Sequence, residues 1–161
     1  MSSSMTSKNA EAKKICVFWD VVECPIPDGL DPESVYRNIE SALEKKGYLP
    51  RNVSIRAYGD TMARFRRMED DFFGWAFNNH YSSLMVISED NTEFASSLRV
   101  YKQTGFNILV AQPENGIERC PNCRKPLEEI ITDEWLWESL SAGGDPIIST
   151  NQEKLTSSVT N

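Results

Sequence analysis

The chain has 161 residues, 40% hydrophobic and 25% charged, enough for one soluble domain that buries most of its apolar surface. Its net charge of −7 argues against a protein that grips nucleic acid over a wide face, but leaves room for an acidic site in which a divalent cation screens phosphates. No apolar run reaches the length of a membrane helix, and "MSSSMTSKNAEAKK" lacks the apolar stretch of a secretory signal, so the expected compartment is the cytosol, with no membrane partner.

Residues 1–13 and 150–161 are rich in Ser, Thr, Asn and Lys without periodicity and read as disordered tails around one domain at 14–149. Ile15 to Trp19 is wholly apolar and reads as a buried strand ending at Asp20. Asp31 then offers an N-cap and Pro32 a first helical position. Val35, Ile39 and Leu43 recur every four residues, and Gly47 stops the helix. "VSIRAYGD" reads as a second strand. A helix follows over 63–79, with Phe65, Met68, Phe72, Trp75 and Ala76 on one stripe. "SLMVIS" is a third strand, Phe94, Leu98 and Tyr101 mark a helix ended by Gly105, and "FNILVA" is a fourth strand. "EEIITDEWLWESLSAGG", residues 128–144, reads as a last helix with Ile131, Trp135 and Leu140 inward, and a short strand is expected at 146–149. Apolar strands alternating with amphipathic helices predict a mostly parallel sheet covered on both faces, a three-layer α/β/α sandwich.

The strands share an ending. The first closes on "FWD" at Asp20, the second on "YGD" at Asp60, and the third runs into "ISED" at Asp90. In an open parallel sheet all carboxyl ends lie on one edge, so these aspartates are expected to converge there. Clustered carboxylates repel one another unless a cation sits among them, and oxygen-only ligation suits Mg²⁺ or Mn²⁺. A metal so held can activate water against a phosphodiester. Each aspartate is also a good helix cap, which is the plainer alternative.

The motifs "VFWDVVECPIPDG", "AYGDT", "LMVISEDNTEF", "FNILVAQP" and "WLWESLSAGG" together resemble the plant NYN domain, the PIN-like nuclease branch similar to meiosis-regulator and mRNA-stability-factor proteins. The resemblance implies a PIN-like fold, Mg²⁺ or Mn²⁺ dependence, and cleavage of single-stranded RNA in post-transcriptional regulation. It implies catalytic and metal-ligating roles for Asp20, Asp60 and Asp90, with Glu23, Asp71 and Glu93 in support. It also leaves protein partners of RNA regulation and association with peroxisomes open. The departures are specific. Val22-Glu23-Cys24 stands where the family has Glu-Asn-Cys, Ser88-Glu89-Asp90-Asn91-Thr92-Glu93 replaces a Ser-Gly-Asp-x-Asp loop, and the stretch from Asp60 to Asp71 is short. These changes point to the alternative, a catalytically weakened NYN fold that serves as an RNA- or protein-binding module.

Beside the acids, Arg64 and Arg67 in "MARFRRME" are candidates for phosphate contact, with a solvated helix face as the plainer reading. Tyr58 is a candidate for stacking on a base. Cys120 and Cys123 in "CPNC" look like half of a zinc ribbon. A second chain would have to supply the other ligands, and a loop insertion is the simpler reading. Cys16 is expected in the core.

Overall fold

The computed structural model describes residues 14–115 and 121–147. The two tails and Cys120 lie outside the described residues. Five strands form one sheet: β1 (Ile15–Asp20), β2 (Val53–Tyr58), β3 (Ser83–Ile87), β4 (Asn107–Gln112) and β5 (Ile131–Leu136). Their order is β2-β1-β3-β4-β5, and every pairing is parallel. Between them run α1 (Pro32–Glu44), α2 (Arg64–Asn78), α3 (Ala95–Gln103) and α4 (Pro121–Glu128), and the one-turn α5 (Trp137–Leu140) follows β5. Short 3₁₀ turns precede β2, at Pro50–Asn52, and α3, at Asn91–Phe94.

Alternation along β1 divides the core in two. Ile15, Val17 and Trp19 face α1 and the β5–α5 corner, packing with Val35, Ile39, Leu43, Trp135, Trp137 and Leu140. Cys16 and Phe18 face the opposite way, onto Met68, Phe72 and Trp75 of α2 and Leu98 of α3. Phe72 meets Phe18 edge-on at 4.7 Å and Phe94 at 5.4 Å, which ties α2 to both β1 and the turn after β3. With helices on both faces of a wholly parallel sheet, the fold is the three-layer α/β/α sandwich that the pattern of strands and helices predicts.

The caps behave as the side chains dictate. Asp31 accepts the Ser34 N–H at 2.7 Å to start α1, and Gly47 (φ +95°) and Gly105 (φ +104°) take the left-handed backbone that follows α1 and α3.

The expected last helix over 128–144 is corrected. Residues 131–136 form β5, and only 137–140 are helical after it. The ladder shows why the sequence misleads. Ile131 pairs with Ile108, but Asp133 pairs with Leu109, so Thr132 is an extra residue in β5. That irregularity places Ile131 with the α2-side core and Trp135 with the α1-side core, and the resulting spacing imitates a helix. The loop expected at "CPNC" is corrected among the described residues, since Cys123 lies within α4, which begins at Pro121. Of the strand expected at 146–149, residues 146 and 147 are not part of the sheet, although Ile147 N–H reaches Glu134 O at 2.7 Å; residues 148 and 149 lie outside the described residues.

Candidate functional site

The candidate site lies at the carboxyl end of β1, between β2 and β3. Asp20 is fully buried, at 0% exposure, and neither carboxylate oxygen is idle. Oδ1 accepts the backbone N–H groups of Val22 at 3.0 Å and Glu23 at 3.1 Å, which folds the chain into a tight turn closed by Cys24 N–H on Asp20 O at 3.0 Å. Two indoles hold that turn against the sheet: Trp19 donates to Cys24 O at 2.8 Å and Trp137 to Pro25 O at 3.0 Å. Oδ2 accepts Nε of Arg64, the first residue of α2, at 2.8 Å.

Glu23 links the turn after β1 to the turn after β3. Its Oε2 accepts the Glu89 N–H at 2.8 Å and the Ser88 hydroxyl at 3.2 Å, and its Oε1 meets Nη2 of Arg64 at 3.5 Å. Burial pushes the Glu23 carboxyl above its ordinary value, with the nearby Asp20 charge adding to it, against the opposing pull of Glu89 N–H, Ser88 and Arg64. The Arg64 guanidinium is held still more firmly protonated, chiefly by its hydrogen bond to Asp20. Its side chain is only 17% exposed, and its guanidinium carbon lies 4.7 Å from the centre of the Phe65 ring.

The other expected acids are placed differently. Asp90 caps the 3₁₀ turn after β3, its Oδ1 accepting the Thr92 N–H at 3.1 Å and the Thr92 hydroxyl. Asp60 is exposed in the bend after β2, and Glu93 is exposed on the turn that Asp90 caps. Asp71 accepts the Tyr58 phenol at 2.6 Å, so it is tied to β2. The structure thus brings Asp20 and Glu23 together around Arg64. Among the described residues no group of three or more His, Cys, Asp or Glu side chains is gathered so as to hold a metal ion. The donor set agrees: every oxygen of Asp20 and Glu23 already faces an N–H, a hydroxyl or the guanidinium, and the site as arranged does not fit Mg²⁺ or Mn²⁺.

Tyr58 is buried, at 8% exposure, with its ring stacked on Phe18 at a centroid distance of 6.4 Å, so it is committed to the core rather than free to take a base. Tyr58 also lines a groove of about 360 Å³ between edge strand β2 and the first turns of α2. Arg56, Arg64, Arg67, Thr61 and Asp71 line it. The sequence reading missed Arg56. The signal was available, because a charged residue within a strand marks an exposed position on an edge. A second cavity, about 560 Å³, opens beyond β3, β4 and β5 and is lined by Glu89, Asp90, Glu114, Glu128 and Glu134, with Arg124 on Glu134 at 2.5 Å.

The wholly parallel five-stranded sheet flanked by helices is consistent with a PIN-like, NYN-type fold. Residues 14–71 match the NYN domain, which supports an NYN, PIN-like domain here. The match takes in Asp20, Glu23, Tyr58, Asp60, Arg64, Arg67 and Asp71 and stops before β3. No curated protein matches the chain. Among the described residues no helix is long and apolar enough to cross a membrane.

Proposed function

We propose that this chain is an RNA-binding module of the NYN type, a catalytically weakened relative of the PIN-like nucleases that acts in post-transcriptional regulation by holding single-stranded RNA. The observation that carries this reading is the arginine groove beside β2. Arg56 and Arg67 line it and form no ion pair among the described residues, so their guanidinium groups are available to phosphate. Helix α2 starts at the same place without a side-chain cap, since Ala63 occupies the N-cap; the Arg64 N–H is taken by Thr61 O at 3.2 Å, and the positive end of the helix dipole still favours an anion. A narrow basic groove on an acidic protein suits a short footprint of a few phosphates.

The test is fluorescence anisotropy of a labelled single-stranded oligouridylate with the wild-type chain and with Arg56→Ala and Arg67→Ala. Binding that weakens in both variants supports the reading, and equal binding in all three overturns it.

A second reading, a metal-dependent endoribonuclease using Asp20, Asp60 and Asp90 with Mg²⁺ or Mn²⁺, is favoured by the NYN match and by the seat of Asp20 at the end of β1. It requires Arg64 to release both carboxylates. Cleavage of RNA with Mn²⁺ by the wild type, abolished in Asp20→Asn, would establish it over the first.

A further inference from the structure

A carboxylate that ligates a divalent ion must offer it a free oxygen, whereas here the oxygens of both acids already have partners from within the chain. Asp20 presents one oxygen to two backbone N–H groups and the other to Arg64 at 2.8 Å, with no exposed surface. Glu23 spends one oxygen on Ser88 and Glu89 and turns the other toward the same guanidinium at 3.5 Å. Arg64 is fixed by chain geometry as the first residue of α2, and its planar guanidinium reaches both carboxylates at once, from Nε and from Nη2.

We infer that Arg64 is the resident cation of the Asp20–Glu23 pair, and that a divalent metal and Arg64 exclude one another at this position. Charge decides it. A buried carboxylate and a half-buried one beside it need a positive partner, and a guanidinium tethered to the chain competes at a very high effective concentration against an ion that must first shed water. Binding a metal there means expelling Arg64 into solvent and breaking both of its contacts. Removing Arg64 instead leaves two uncompensated carboxylates around one gap, which is the condition under which a small dication becomes the better partner. The inference concerns the ion alone and does not rest on RNA binding.

The experiment titrates Mn²⁺ alone into the full chain, followed by electron paramagnetic resonance of the free ion and by the melting midpoint, for wild type, Arg64→Gln, and Arg64→Gln combined with Asp20→Asn. The wild type is expected to show no saturable, Asp20-dependent uptake at about 1 mM Mn²⁺. Arg64→Gln is expected to take up the ion at least about tenfold more tightly than wild type and to gain about 3 °C at saturation. The added Asp20→Asn change should erase both effects. Saturable uptake by the wild type that is lost in Asp20→Asn overturns the inference whatever the other variants do. A folded Arg64→Gln chain that takes up no ion overturns it equally. If Arg64→Gln does not fold, Arg64→Lys serves, since one ammonium cannot reach both acids and should give uptake between the two extremes; uptake equal to wild type would count against the inference.

Discussion

The phenol of Tyr58 donates to Asp71 Oδ2 at 2.6 Å, joining the last residue of edge strand β2 to the middle of α2. Both residues line the arginine groove, to which β2 contributes Arg56 and α2 contributes Arg64 and Arg67. Asp71→Ala leaves a mostly buried hydroxyl without its acceptor, and a loss of about 1–2 kcal/mol is expected. Tyr58→Phe deletes the donor and leaves a carboxylate that water can reach, for a smaller loss of about 1 kcal/mol. Urea unfolding of the three chains checks the ordering. No change in either variant would show that the bond contributes nothing to stability.

The Glu23 carboxyl gives the fold a pH dependence of definite sign. Burial raises its folded pKa above the unfolded value, so the folded chain holds that proton more tightly than the unfolded one. The stability it contributes is fully present below the ordinary glutamate value and is lost as pH rises through the raised folded value. Asp20, Arg64, Ser88 and Glu89 are the groups that face it. Glu23→Gln keeps an acceptor for the Glu89 N–H and cannot ionise. Urea midpoints of the two chains, compared from about pH 4 to about pH 7, should therefore move in favour of Glu23→Gln as pH rises. A gap that moves the other way would mean that Arg64 and the Glu89 N–H outweigh burial.

How much of this could be read from the residues differs by element. β1, β3 and β4 announce themselves as short, continuously apolar runs, and α1 carries its cap, its proline and its four-residue repeat in plain order. β5 does not, because one irregular residue at Thr132 replaces alternation with a spacing that suits a helix as well. At the site, the placement of Asp20 at the end of a buried strand was legible, since strand and turn are local. The partner of Asp20 was not. Arg64 lies forty-four residues further on, and only the crossing of α2 over the sheet brings it to the carboxylate. The same holds for Glu23, whose ties to Ser88 and Glu89 depend on β1 and β3 being neighbours. The spacing of acids along a sequence says where a charge sits but not which cation answers it.

The thiols of the two cores should be inert. Burial pushes the Cys16 thiol up to about 12, and it raises Cys24 further, with Glu23 and Asp20 adding to the effect. Both residues have no exposed surface. Since the thiolate is the nucleophile, a disulfide reagent at about pH 8 should leave Cys16 and Cys24 unmodified in the folded chain and modify both in urea, as read by peptide mass mapping. Modification of Cys16 under native conditions would mean that the α2 side of the core opens on the timescale of the labelling.

The groove makes a prediction about salt that separates local recognition from general attraction. A chain of net charge −7 repels a polyanion at long range, so the proposed RNA binding would draw its affinity from the few phosphates held by Arg56 and Arg67. Each phosphate neutralised on a single strand contributes about −0.7 to the slope of log affinity against log salt, and two contacts give a slope of about −1.4. Arg67→Ala should reduce that slope by somewhat less than one unit and weaken binding alike for every base sequence, because a phosphate contact carries no sequence information. Arg67→Glu should weaken binding further by placing a second acid beside Asp71. Anisotropy titrations across about 50 to 200 mM salt measure both quantities. A slope near zero, or a loss of affinity confined to one base composition, would move the RNA contact away from these arginines and toward groups that read the bases.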